Sequence, residues 1–191
     1  MALYFCPLYS GSSGHCALVG TESTRVLVDA GLTGKAIVSA LDFVGQRPEG
    51  LSGILITHEH TDHCKAAGIL SRRFDIPIYA NAGTWAAMVR SVGKIAPHNQ
   101  RIFDSGRDFF LGNLEITPYS ISHDAADPVG FGFFAGGRRV VQMTDLGHVS
   151  EDVLDFATGA DLVLMEANHD LVMLENGPYP AMLKRRIAGK R

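Results

Sequence analysis

Residues 51–64 read LSGILITHEHTDHC. An apolar run, Leu51 to Ile56, gives way at once to His58, Glu59, His60, Asp62 and His63. The run has the length and composition of a buried strand. If the chain stays extended through His60, the side chains of His58 and His60 point to the same side, because strand side chains alternate. Asp62 and His63 then fall at the turn into a helix and face the same pocket from another direction. Two ligands from a strand end and two from a helix start are enough to begin two adjacent metal sites. Neither would be complete, since catalytic zinc takes three or four protein ligands and keeps a place for water. The competing reading is a polar loop that happens to be rich in histidine.

The rest of the chain supplies candidates to complete such sites. His123 ends the run ITPYSISHD, Asp145 ends RRVVQMTDLG, and His169 follows DLVLMEANHD. Each is an apolar strand that stops at a polar residue. A single histidine after a strand is usually a surface group; three such endings beside the existing cluster favour metal ligation.

Composition sets the frame. The chain has 191 residues, 46% hydrophobic and 19% charged, as expected of one folded domain spanning 1–191. Seventeen Lys and Arg against twenty Asp and Glu leave a net charge of −3, which argues against nucleic-acid binding through bulk charge but leaves room for a local basic patch. Cys6, Cys16 and Cys64 are odd in number and form no C-x-x-C pair, so neither a disulfide framework nor a zinc knuckle is expected, and a reducing cytoplasm is. The start, MALYFCPLYSGSSGHC, lacks the basic and long apolar regions of a signal peptide. No apolar run approaches the ~20 residues of a membrane span.

Along the chain, strands are expected at Ala17 to Val19, Arg25 to Asp29, Leu51 to Ile56, Ile76 to Ala80 and Asp161 to Glu166. Phe109 to Ser122 and Gly130 to Thr144 read as extended, with Gly136-Gly137 marking a hairpin. Helical spacing covers Gly34 to Phe43, a segment from Thr61 or Asp62 to about Phe74, one capped by Asn81 with Trp85, Met88 and Val89 inward, Ser150 to Phe156, and Pro180 to Ile187. Strands that partly alternate with helices and partly form hairpins describe a layered α/β protein with mixed sheets. SGSSG, Ser10 to Gly14, reads as a turn or functional loop. Cys64 reads as a small packed residue, and His98 and His148 as exposed.

The pattern H-x-H-x-D-H, here His58, His60, Asp62 and His63, resembles the signature of the metallo-β-lactamase-fold hydrolases. Asp29 in VLVDAGL resembles the aspartate that ends an early strand in that superfamily, and His123 and Asp145 match its next two ligands in order. SGSSG, LVDAGLTGK, PIYAN, SHDAADPVGF and EANHD…ML…GPYP…LKRRI extend the likeness over the whole chain, to the branch that includes the YycJ/WalJ-like proteins.

The resemblance implies an αββα sandwich with two mixed β-sheets flanked by helices. It implies a metal-dependent phosphodiesterase, acting as a 5′-to-3′ exonuclease on double-stranded DNA through a metal-bound hydroxide. His58, His60 and His123 would hold one divalent ion, Zn2+ or Mn2+. Asp62 and His63 would hold the second, with Asp145 as the bridge. Family members continue past LKRRI to a last metal-binding histidine; this chain ends at Arg191, so on that comparison the second site lacks a ligand and part of the second sheet is missing. The family usually has Asn where this chain has His15, which is taken as a variant loop residue near the site, with metal ligation as the lesser alternative.

Asp62 and His169 are the catalytic candidates, His169 as a phosphate contact or proton donor to the leaving oxygen. Asp29 is placed behind a ligand histidine, with a turn cap as the competing role. Ser12, Ser13, Glu166 and Asn168 are candidates to line the substrate pocket. Lys184, Arg185, Arg186, Lys190 and Arg191 form a basic end that could touch a nucleic-acid backbone or be a solvated helix face. Two other readings stay open: a hydrolase of a small cyclic phosphodiester or thioester, and a metal-binding fragment or interaction module without catalysis.

Overall fold

A computed structural model describes residues 2–166 and 170–188. The strands are β1 (Tyr4–Tyr9), β2 (Cys16–Gly20), β3 (Arg25–Val28), β4 (Gly53–Leu55), β5 (Ile78–Ala80), β6 (Gln100–Ile102), β7 (Phe109–Leu111), β8 (Leu114–Ser120), β9 (Val129–Ala135), β10 (Arg138–Met143) and β11 (Leu162–Met165). The helices are α1 (Gly34–Phe43), α2 (Thr61–Cys64), α3 (Ala67–Phe74), α4 (Ala82–Val92), α5 (Glu151–Ala157), α6 (Leu171–Asn176) and α7 (Ala181–Ile187).

One sheet runs β1-β2-β3-β4-β5-β6, the other β11-β10-β9-β8-β7. Both are mixed. In the first, β1 to β3 pair antiparallel and β3 to β6 pair parallel. In the second, only β10 and β11 are parallel.

Strand alternation builds the layers. In β2, Cys16 and Leu18 face the helices, where they join Ile37 and Leu41 of α1, Leu70 of α3 and Met88 of α4. Ala17 and Val19 face the other way and meet Leu114, Ile116, Phe131 and Phe133 of the second sheet. On the far side of that sheet, Val141 and Met143 pack with Val153 of α5. The order is therefore helices, sheet, sheet, helix. Phe131 and Phe133 are fully buried between the sheets and each contributes about 1.5–3 kcal/mol.

Local signals hold at several boundaries. Thr33, Asn81 and Ser150 cap α1, α4 and α5 through their side-chain oxygens. Gly136 and Gly137 both have positive φ between β9 and β10, as a tight hairpin needs.

The expected helix from residue 61 to Phe74 is broken in two. A continuous helix would bond the amide of Ala66 to the carbonyl of Asp62. Instead Ala66 N–H donates to Ala30 (2.8 Å), while Asp62 C=O accepts from His15 N–H (2.8 Å) and His63 C=O from Ala30 N–H (2.7 Å). Other segments have taken the carbonyls that would extend the turn. Val89, expected to point inward with Met88, is 54% exposed while Met88 is fully buried. Trp85 packs partly against the core and donates its indole N–H to Arg101 C=O (2.8 Å). Strands β1 and β6 and helix α6 were not marked by the sequence patterns.

Candidate metal centre

The side chains of the motif converge just beyond the carboxyl ends of strands. Asp29 follows β3 and Asp145 follows β10, and both take a left-handed backbone conformation, with φ of 61° and 56°. Aspartate tolerates that region better than most residues, because its short side chain can hydrogen-bond locally. The turn redirects each chain at the point where its carboxylate is presented.

His58, His60 and His123 form the first donor group, with one ligand-type atom from each lying within 4.8 Å of the others. His58 Nε2 is 3.0 Å from His60 Nδ1, and His123 Nε2 is 3.1 Å from the same atom. Thr57 Oγ1 lies 3.0 Å from His58 Nδ1, so Nε2 is the nitrogen turned to the cluster. Burial, reinforced by the neighbouring imidazoles, pushes the His58 pKa down to about 2. Burial lowers His123 as well. Both are neutral at neutral pH, the form that ligates.

The second donor group is His15, His63 and Asp145, again within 4.8 Å. Behind His63 sits Asp29, with 0% exposure. Asp29 Oδ2 is 2.8 Å from His63 Nδ1, and Oδ1 accepts the Thr57 amide (2.9 Å). The Thr57 hydroxyl lies 3.0 Å from Asp29 Oδ2. With Nδ1 engaged, His63 turns Nε2 toward Asp145 Oδ2, 3.0 Å away. Burial alone would push the His63 pKa down; the charge of Asp29 and the closeness of Asp145 outweigh it and hold the metal-free imidazole up to about 10. Asp145 is held well below the carboxylate range, since His63 overcomes the effect of burial.

His63 Nε2 and Asp145 Oδ2 are close, yet neither atom makes an aligned hydrogen bond with any described residue. Two buried ligand atoms 3.0 Å apart with no aligned hydrogen bond suit an ion held by both. A divalent cation fits: the donors are imidazole nitrogens and carboxylate oxygens, the set that suits zinc and manganese. The two groups adjoin, with the His58 and His63 rings 4.0 Å apart between centroids.

Main-chain bonds hold this arrangement. His15 N–H donates to Asp62 C=O, Gly31 N–H to His15 C=O (2.9 Å) and Ala30 N–H to His63 C=O. A Cβ on Gly31 would stand 1.5 Å from the Asp62 carbonyl oxygen, so only glycine permits the approach.

The expected second-site ligand Asp62 belongs to neither group of three but lies beside the second. Its carboxylate is 3.7 Å from His63 Nε2 and its side chain is 41% exposed. His15 is the third member of that group. Its ring stacks on His63 (4.5 Å between centroids, 16° between planes), and its Nδ1 is 3.0 Å from Glu166 Oε1. Glu166, expected to line the substrate pocket, reaches the centre through His15, and Ser10 Oγ donates to the same oxygen (3.1 Å). Ser12 and Ser13 are exposed on the loop. Asn168 and His169 lie outside the described residues, as do Lys190 and Arg191. Cys64 is buried, and His98 is exposed beside Asp75. The signal for His15 was available: a histidine at the mouth of the wholly buried strand β2 needs a polar reason to be there.

Comparison with known proteins agrees with this fold. The model of the beta-lactamase superfamily domain matches residues 24–179. The chain is 42% identical over 187 residues to exodeoxyribonuclease YycJ of Bacillus anthracis, covering 98% of this chain and 71% of that protein. It is 41% identical over 182 residues to exodeoxyribonuclease WalJ of Streptococcus pneumoniae, covering 94% and 68%. Among solved structures, the metallo-beta-lactamase fold protein YhfI from Bacillus subtilis superposes with a TM-score of 0.68 at 16% identity, covering 85% of this chain and 70% of that one. No described helix is long and apolar enough to cross a membrane. The sequence motif, the two-sheet sandwich and these relatives together make the chain a member of the metallo-β-lactamase-fold superfamily of metal-dependent hydrolases, in the branch of YycJ and WalJ.

Proposed function

We propose that this chain is a DNA exonuclease that hydrolyses phosphodiester bonds from 5′ ends of duplex DNA, with two divalent ions, Zn2+ or Mn2+, at adjoining sites. The observation that carries the reading is the pair of abutting donor groups, His58–His60–His123 and His15–His63–Asp145. The names of the two relatives supply the polymer.

When bound, paired divalent ions lower the pKa of a shared water and neutralise phosphate oxygens as charge builds. The chain's own residues make that chemistry available. Asp29 and Thr57 fix the tautomer of His63, so that Nε2 faces the centre. His58 and His123 stay neutral and need give up no proton to ligate. Asp145 stays ionised and brings one negative charge to the second group, where it also acts on His58 and His123. Asp62 stands at the exposed edge, where it can orient an incoming group.

The test is metal-loaded protein on linear duplex DNA labelled at either the 5′ or the 3′ end. Early release of the 5′ label, abolished by chelator and by His58→Ala, is expected. Hydrolysis of bis-p-nitrophenyl phosphate with no release from DNA would move the substrate to a small phosphodiester. Turnover of a thioester alone would refute phosphodiester chemistry. Inertness of the two-metal protein on all three substrates would refute catalysis.

A further inference from the structure

His15 has no place in the H-x-H-x-D-H pattern, and the resemblance gives its position an asparagine. Its surroundings are nonetheless those of a ligand. The residue is 7% exposed. A ligand-type nitrogen of its ring lies within 4.8 Å of those of His63 and Asp145. Its Nδ1 is held by the Glu166 carboxylate at 3.0 Å, as the Nδ1 of His63 is held by Asp29 at 2.8 Å. A carboxylate on one ring nitrogen is how proteins orient an imidazole whose other nitrogen binds a metal.

The backbone leaves the ring little freedom. Both main-chain groups of His15 are bonded, the N–H to Asp62 and the C=O to Gly31. Gly14, just before it, approaches Gly31 so closely that a Cβ would stand 2.8 Å from the Gly31 carbonyl carbon. The near-parallel stack on His63 holds the plane of the ring. The competing role is a buried histidine satisfied by Glu166 alone, with no part in metal binding.

We propose that His15 Nε2 is a protein donor to the second metal site, which with His63 Nε2 and Asp145 Oδ2 becomes a two-histidine, one-carboxylate site, and that Glu166 is the positioning residue that aims it. This rests on the two-metal reading above and names a ligand that the motif does not contain. Three donors of this kind leave open positions for water and substrate.

The test counts ions and measures the affinity of each. The full chain, stripped with chelator, is titrated with Co2+ by absorption and with Zn2+ by calorimetry. The set is the unaltered chain, His15→Asn, His15→Ala, Glu166→Gln and, as a marker of the first site, His123→Ala. Circular dichroism checks the fold; if His15→Ala fails to fold, His15→Asn and Glu166→Gln carry the same question. Two equivalents are expected in the unaltered chain. Both His15 variants should keep one equivalent and bind the other at least about 100-fold more weakly, while Glu166→Gln keeps both and weakens the same one about 10–100-fold. His123→Ala should lose the opposite equivalent.

A second equivalent unchanged in His15→Asn overturns the proposal and leaves the two-metal reading intact. A single equivalent in the unaltered chain that responds to His123→Ala and not to His15→Asn overturns both. A single equivalent that responds only to His15→Asn supports the ligand and overturns the two-metal reading. Two equivalents that behave as expected, with no hydrolysis of DNA, overturn the nuclease reading alone.

Discussion

Replacing Asp29 by Asn removes one negative charge from the most enclosed part of the centre and leaves the backbone almost untouched. The residue sits at φ 61°, a region that Asn shares with Asp at little cost. The Asn carbonyl oxygen can keep the bond from the Thr57 amide, now 2.9 Å from Oδ1. The amide NH2 then stands where Oδ2 was, 2.8 Å from His63 Nδ1. Two donors cannot face each other, so the imidazole must shift its proton to Nε2, the nitrogen turned toward Asp145. That tautomer cannot ligate. Loss of such a carboxylate partner costs about 10–100-fold in metal affinity, or about 1.4–2.7 kcal/mol. Competition against a chromophoric chelator reads each equivalent separately. The ion on the His15–His63–Asp145 side should weaken by that factor, and the ion on the His58–His60–His123 side should keep its affinity. Asp29→Ala makes the control: it deletes the same partner but adds a left-handed backbone penalty of about 1–2 kcal/mol, visible as lower stability in chelator. Unchanged affinity of both ions in folded Asp29→Asn would refute the tautomer argument.

Two further perturbations follow from the same geometry. Gly68→Ala places a Cβ 1.9 Å from the Val92 carbonyl oxygen at the α3–α4 crossing; since backbone cannot yield as a side chain can, denaturant unfolding should show a loss of about 1–3 kcal/mol, with metal stoichiometry unchanged. The metal-free protein should depend on pH through His63. Its folded pKa, about 10, lies above the ordinary 6.5, so the stabilisation it brings is complete below about pH 6.5 and is lost as pH rises through 10. Metal binding runs the other way, because the ion displaces that proton. Between pH 7 and 9 the affinity of the second equivalent should rise by about tenfold per pH unit. Calorimetry in buffers of different ionisation heat should detect the released proton, and a flat profile would refute the assignment.

Much of the fold lay open in local pattern. The abrupt change at Ile56 to Thr57, the Gly136-Gly137 hairpin and the cap at Asn81 are short-range signals, and the structure has each. What stayed hidden depends on distant partners. The split after Cys64 arises because Ala30 and His15 claim carbonyls of the one-turn helix α2, and no periodicity within residues 61–74 records that. Val89 sits on the apolar stripe of α4 by spacing but at its outer margin in space. At the site, the motif marks His58, His60 and His63, and strand endings mark His123 and Asp145. The pairing of His15 with Glu166 joins opposite ends of the chain, and only the folded sheets bring them together.

The bonds that stitch His15, Ala30, Gly31, Asp62 and His63 together are all between main-chain groups. Apart from Gly31, where only glycine permits the approach, they ask nothing of the side chains they position. The scaffold therefore behaves as a socket whose contacts can be re-keyed: a thiolate or carboxylate at position 15 would meet the same cradle from the same direction. Metal preference and foldability are separable properties here, which makes this corner of the molecule a natural starting point for engineering a different ion into an unchanged frame.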